Sequence, residues 1–272
     1  MSRALREALL DGQFWIGGTF TLEDRIAWVD RQLAKYINKY DCELWLDTAD
    51  LSSVAHGATV ETIPTRIGGA PSQSTPARRG AHNRSTSGYR GAITLDGVDD
   101  YYTAAVDLTG TDACAIFVTL QRTNVGGIIF EYDLPASSTD RVNITHTGSD
   151  LFAGASSPAG VTFRQSTPDL PLGYPFVASM RASRATAPDS IGIATYERDS
   201  SGEITAFAAQ ATTDGAGNYP AQDTNIGARV TTGGSSNFLA GDLYEILVLT
   251  SYPSRDNWLT INRLLAVKAG LA

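Results

Sequence analysis

The chain has 272 residues, of which 42% are hydrophobic and 18% charged, and its net charge is −8. That acidity works against binding nucleic acid, whose phosphates call for basic side chains. The apolar share supports a real core and excludes wholesale disorder. No apolar run approaches the roughly 20 residues needed to cross a bilayer, so no membrane insertion is expected. Near the N-terminus Arg3 and Arg6 are followed by Glu7 and Asp11 with no apolar stretch, a pattern not expected of a secretory signal.

The first forty residues read differently from the rest. Ser2 to Leu10 suits a short helix closed by Asp11-Gly12, and Gln13 to Gly18 forms an apolar, aromatic connector. Thr21 then offers an N-cap hydroxyl, with Glu23 and Asp24 near the positive end of the helix dipole. Leu22, Ile26, Val29, Leu33 and Ile37 recur at helical spacing through about Tyr40, with Trp28 and Tyr36 in or beside the stripe. A helix with such a face must bury it against its own domain, another subunit or a larger assembly. The expected organisation is an N-terminal helical arm over 1–40, serving docking and assembly through that stripe, and a second domain over 41–272.

After Tyr40 the apolar period becomes two. Candidate strands are Glu43–Leu46, Ala92–Leu95, Tyr101–Ala104, Ala113–Gln121, Gly127–Tyr132, Arg141–Thr145 and Leu151–Ala153. Others are Val161–Gln165, Phe176–Ala182, Ile191–Glu197, Ile204–Ala209, Asp223–Ala228 and Gly241–Leu249. Many short strands with Gly-rich turns and no alternating helices predict an antiparallel sandwich. Residues 52–91 read as a long loop carrying Pro64, Pro71 and Pro76. Arg66, Arg78, Arg79, Arg84 and Arg90 lie there, either as a contact for an anionic partner or as scattered solvated charges. The chain ends in a helical pattern, Arg255 to Leu271, with Ser254 as N-cap and Gly270 at its close.

Enzyme chemistry finds little footing. Glu131 and Asp133 fall on one side of a strand, but no third carboxylate follows and Pro135 interrupts the pattern. His56, His82 and His146 show no metal-ligand spacing, and neither Cys42 nor Cys114 belongs to a metal or redox motif. The two cysteines read as small buried hydrophobes or, alternatively, as a disulfide. Asp96, Asp99 and Asp100 crowd one turn and are candidate calcium ligands; the competing reading makes them turn builders around Gly97. Candidate sugar contacts are Tyr174, Asn218 and Tyr219, the last in a Gly-Asn-Tyr-Pro loop. No other cofactor is expected.

Three segments in order carry a family resemblance: Leu44 to Asp50, Ile93 to Thr103 around Asp96-Gly97, and Phe238 to Thr250 followed by the closing helix. They resemble the concanavalin A-like lectin/glucanase superfamily, in particular its LamG-like jelly-roll domains, which occur in many phage virion proteins. The resemblance implies a mainly β, two-sheet jelly-roll sandwich flanked by helices. With the apolar arm, it implies a non-enzymatic virion structural protein (tail, fibre or head decoration). Its partners would be other virion proteins or further copies of itself, and host-surface polysaccharide. The alternatives are a carbohydrate-binding module of a cellular protein or a degenerate glycan hydrolase.

Overall fold

The computed structural model describes residues 21–84, 91–133, 141–148, 150–157, 160–166, 172–184, 191–197, 206–210 and 218–271; for 22, 156–157, 160–166, 197 and 206–210 it gives the backbone course alone. The helix and connector expected over 2–18 lie outside the described residues. The elements are α1 (Leu22–Lys39), β1 (Cys42–Asp47), β2 (Thr65–Ile67), β3 (Ala81–Asn83), β4 (Ala92–Asp96), β5 (Tyr102–Ala104), β6 (Ala113–Arg122) and β7 (Gly126–Asp133). They continue with β8 (Val142–Thr147), β9 (Asp150–Ser157), β10 (Gly160–Ser166), β11 (Pro175–Ser183), β12 (Ile191–Glu197) and β13 (Ala206–Gln210). The last are β14 (Asp223–Ile226), β15 (Arg229–Thr231), β16 (Gly234–Ser236), β17 (Ala240–Leu249) and α2 (Arg255–Ala269).

Both helices begin and end where local chemistry dictates. Thr21 caps α1 with a capping box: its hydroxyl accepts from Asp24 N while the Asp24 carboxylate accepts from Thr21 N. Ser254 caps α2, and Gly270 closes it in the left-handed conformation at φ 74°.

Two antiparallel sheets face each other. One has nine strands in the order β13-β12-β11-β6-β17-β1-β2, with β4 also paired to β17 and β3 to β4. The other has six, in the order β10-β9-β8-β7-β14-β5, and β15 with β16 forms a separate hairpin. One edge of β17 is shared, its first residues pairing with β4 and its later ones with β1, while its other edge pairs with β6 through a register shift between Leu243 and Glu245.

The alternation along β6 explains the layering. Cys114, Ile116, Val118 and Leu120 enter the core between the sheets, alongside Phe130, Tyr132, Val142 and Ile144 from β7 and β8. Ala115 and Phe117 point the other way, into a second apolar cluster between the nine-stranded sheet and the two helices. A strand buried on both faces therefore reads as a nearly continuous apolar run.

The second cluster corrects the expected organisation. Ile26, Val29, Leu33 and Ile37 are all buried, and Val29, Leu33 and Ile37 pack with Trp45, Phe117, Val177, Leu247 and Trp258. The stripe assigned to assembly is thus occupied by the chain's own sheet and C-terminal helix. Leu22 opens α1, and its side chain lies outside what is described. A helix laid on a sheet buries its apolar face without any partner, so α1 belongs to the sandwich domain.

A buried ion cluster fixes both helices in place. Lys268 of α2 is fully buried, with its Nζ 2.6 Å from Asp47 of β1, 2.9 Å from Glu245 of β17 and 2.8 Å from Asp30 of α1. Arg66 of β2 reaches Asp30 at 2.5 Å, Asp47 at 2.8 Å and Asp50 at 3.1 Å. The Trp45 indole N–H donates to Glu245 Oε1 at 2.8 Å. Burial pushes the Glu245 carboxyl above its usual range, with Asp47 adding to the rise and Lys268 opposing it. Burial alone would lower the Lys268 ammonium, but Glu245, Asp47 and Asp30 more than offset this and hold it above its ordinary value. Arg66 is accordingly no solvated loop charge. Segment 52–91 contributes two short strands, β2 and β3, which the alternation rule passed over because each has only three residues.

If α1 is part of the core, Leu33→Ala should lower unfolding stability by about 2–5 kcal/mol, the range for emptying a buried leucine site. Chemical denaturation of the two proteins measures this, and an unchanged midpoint would mean the helix is not packed on the sheet.

Candidate functional site

Because α1 and α2 cover the outer face of the nine-stranded sheet, the outer face of the six-stranded sheet is left to other uses. Strand alternation dictates what it presents. Phe130, Tyr132, Val142, Ile144 and Ile226 enter the core, so Glu131, Asp133, Asn143, Thr145 and Asn225 project outward. The register aligns them in a row: Thr103 lies opposite Asn225, Asn225 opposite Glu131, Glu131 opposite Asn143 and Asn143 opposite Gly154. In the next row Thr145 lies opposite half-buried Phe152, and on the other side Asp133 lies opposite exposed Asp223. Gly154 puts no side chain beside Asn143, and Phe152 sets an aromatic ring diagonal to it.

Two arginines organise the carboxylates. Arg229 donates twice to Glu131 Oε1, at 3.0 and 2.8 Å, and Arg141 Nε donates to Asp133 Oδ2 at 2.9 Å. Burial raises the Glu131 carboxyl, while its hydrogen bonds and ion pair with Arg229 counter the shift. Glu131 and Asn143 are fully buried, yet Glu131 Oε2 and both amide atoms of Asn143 have no hydrogen-bond partner among the described residues. Orphaned polar atoms at such depth cost free energy unless something else satisfies them. The face therefore offers carboxylate and amide acceptors and an amide donor, with an aromatic neighbour.

The residues proposed from sequence for sugar contact are not brought together by the fold. Tyr219 is buried at 2% exposure, its ring edge-on to Tyr132 and beneath the Arg184 guanidinium, so it is a core residue rather than an exposed platform. A ring that must cover the end of the core between two sheets has no face left for solvent. Asn218 is exposed and its carbonyl accepts from Arg184 at 2.7 Å. Tyr174 is 70% exposed, just before β11. Asn143, Asn225, Arg141, Arg229 and Phe152 were not singled out in the sequence. Their signal was available in the alternation Val142-Asn143-Ile144-Thr145, where polar residues fall on the face opposite the apolar ones.

The acidic turn between β4 and β5 is a local structure first. Asp96 Oδ1 accepts from Val98 N at 2.8 Å and Asp99 N at 3.3 Å, and Asp100 Oδ2 accepts from Asp96 N at 3.0 Å. Gly97 has φ 77°, and a β-carbon there would lie 2.7 Å from that of Ala240. One carboxylate oxygen from each of Asp96, Asp99 and Asp100 lies within 4.8 Å of the others, a spacing a hard cation could use. The turn hydrogen bonds account for the carboxylates of Asp96 and Asp100 without one. A second carboxylate group, Asp30, Asp47 and Glu245, is already filled by the Lys268 ammonium. Cys42 and Cys114 are free thiols, and burial pushes Cys114 up to about 12.

No protein-family model matches the chain, and no curated protein matches it by sequence. Among solved structures it is similar to the CBM40 of a Ruminococcus gnavus IT-sialidase, at 11% identity over 63% of this chain and 96% of that one, TM-score 0.49. It is also similar to domain 4 of a GH43 extracellular arabinanase from Geobacillus stearothermophilus, in complex with arabinotriose, at 10% identity over 81% of this chain and 98% of that one, TM-score 0.49. The binding domain of botulinum neurotoxin DC, in complex with rat synaptotagmin II, matches at 8% identity over 84% of this chain and 52% of that one, TM-score 0.53. At such identities the likeness speaks to fold alone. The fold, with its two antiparallel sheets, is a jelly-roll sandwich.

Two expectations test the acidic turn. Gly97→Ala should destabilise by more than roughly 1 kcal/mol, since both its backbone and its neighbour oppose a side chain; a denaturation midpoint equal to wild type would remove that constraint. Burial raises Asp100 from 3.8 to about 6, with Asp96 and Asp99 adding to the rise and the Asp96 N–H opposing it. A carboxyl raised on folding contributes most below its unfolded value and loses that contribution as pH rises through its folded value. Wild type should therefore lose stability relative to Asp100→Asn between about pH 4 and pH 6 and run parallel outside that window. Melting temperature across pH reads this, and repeating it with Ca²⁺ and with chelator should give superimposable curves if the aspartates only build the turn.

Proposed function

We propose that the protein is a non-enzymatic glycan-binding module whose ligand lies on the outer face of the six-stranded sheet. The observation that carries this reading is the row Asn225, Glu131, Asn143, with Glu131 Oε2 and the Asn143 amide unpartnered beside Phe152. Sugars present vicinal hydroxyls that both donate and accept, and an apolar C–H face that packs on an aromatic ring. An amide and a carboxylate fixed side by side on a rigid sheet suit the first, and Phe152 suits the second. Catalysis is not part of the proposal. Glycoside hydrolysis needs an acid and a second carboxylate free to act on the bond, whereas Arg229 holds Glu131 and Arg141 holds Asp133.

The lectin-like sandwich lends support to glycan binding as a class. A virion role, by contrast, draws on a free apolar arm, and α1 spends its apolar face on the sheet. Glycan binding in a module of this kind is the stronger reading, and it leaves open which larger protein or particle presents it.

The test is a glycan array with the wild-type chain, followed by titration calorimetry on the best ligand. Asn143→Ala and Glu131→Gln should each weaken binding roughly tenfold or more, the scale of one lost hydrogen bond, and no hydrolysis product should form. An array without specific binding, or affinity unchanged in both variants at equal thermal stability, would overturn the proposal.

A further inference from the structure

The Lys268 cluster has more in it than an ion pair needs. Lys268 and Asp47 are fully buried and Glu245 is 1% exposed, so the nucleophile, the carboxyl group and a second carboxyl are all sealed from water. Asp47 and Glu245 are direct cross-strand partners in the β1/β17 ladder, which puts their side chains on one face of the sheet beneath α2. Lys268 Nζ sits 2.6 Å from Asp47 Oδ2 and 2.9 Å from Glu245 Oε1. The other oxygen of Asp47 is held separately: Ala49 N donates to Oδ1 at 3.0 Å. Arg66 lies 2.8 Å from Oδ2.

We propose that Lys268 and Asp47 condense within the folded chain into an isopeptide bond, with Glu245 carrying the proton. The balance closes without any co-reactant. The ammonium passes one proton to Asp47 Oδ2 along their hydrogen bond, and the neutral Nζ attacks Cγ. Glu245 accepts a second proton from the nitrogen and delivers one to Oδ2. The Cγ–Oδ2 bond breaks, Oδ2 leaves as water, and the new bond is Cγ–Nζ with one hydrogen left on the nitrogen. Oδ1 remains as the amide oxygen, still accepting from Ala49 N–H, which is placed to stabilise the charge that builds there during attack. Arg66 is placed to assist departure of Oδ2.

Three physical circumstances favour the step. Burial narrows the gap between the charged pair and the neutral pair that reacts, because the interior penalises ions more than their uncharged forms. Glu245, raised by that same burial, is able to hold a proton beside the reacting atoms. The reactants are fixed by two strands and a helix, so the entropy of bringing them together is spent in folding. The product would join residues 221 positions apart, the first strand to the last helix.

Intact-mass measurement of the denatured full chain tests this directly. The wild type should be lighter than its sequence by one water, and proteolysis should yield a branched peptide joining the fragments that contain Asp47 and Lys268. Lys268→Arg, which keeps the charge but not the nucleophile, and Glu245→Gln should both restore the full mass. A wild-type mass equal to the sequence overturns the proposal. So does a water loss that persists in Lys268→Arg, which would place the dehydration elsewhere, as at the succinimide-prone Asp96-Gly97 pair. Should either variant fail to fold, the presence or absence of the branched peptide in wild type decides alone.

Discussion

One ammonium group among three carboxylates holds the two helices to the sandwich. Lys268 draws together Asp30 of α1, Asp47 of β1 and Glu245 of β17, and Arg66 of β2 braces Asp30 and Asp47 from outside. Taking these charges out of water costs several kcal/mol per ion, and only close, mutual pairing recovers it. The arrangement is therefore unforgiving of losing Lys268, which would leave Asp47 and Glu245 buried without their shared cation. Five elements are forced into one geometry, which apolar packing alone would allow to slide. Burial is why Glu245 holds its proton more tightly than an exposed carboxylate, with Lys268 opposing the shift and Asp47 adding to it.

That clamp decides where function resides. With α1 and α2 laid across the nine-stranded sheet, its outer face becomes interior, and Trp45, Phe117 and Trp258 are shielded from solvent. The six-stranded sheet carries no helix on its outer face among the described elements. Its outward positions carry side chains that hydrogen-bond instead of packing, and Arg229 and Arg141 keep the acidic members oriented. One sheet is spent on stability, and the proposed ligand is assigned to the other.

The β elements were legible because their period is short and their turns are marked. Most strands from Glu43 to Leu249 fall where alternation puts them, Gly97 takes the positive φ that an Asp-Gly pair announces, and Ser254 and Gly270 bound the last helix. Three-residue strands such as β2 and β3 escaped, since so few residues give no period to detect. The apolar stripe of α1 was plain in the sequence, but a stripe says only that a face is buried, not by what. Only tertiary structure brings Trp45, Leu247 and Trp258 to meet it. The candidate site was hidden for a related reason. Asn143, Asn225 and Glu131 are ordinary strand residues in separate segments, and they become neighbours only through the β8-β7-β14 register. Tyr219 misled because a loop of Gly, Asn and Pro suggests exposure, whereas its ring closes one end of the core against Tyr132.

The place of β17 in the nine-stranded sheet has a consequence for how the protein is made. This penultimate element lies between β6 on one side and β1 and β4 on the other, with Trp45 paired to Leu247 and Ile116 to Val248. During synthesis the early strands must wait, apolar on both faces and unpaired at their edges, until β17 has left the ribosome. Long-range pairing of this kind makes folding slow, and the waiting strands are open to aggregation. A nascent chain built this way commits to this sheet only once β17 has been made, and the cell must shelter the earlier strands until then.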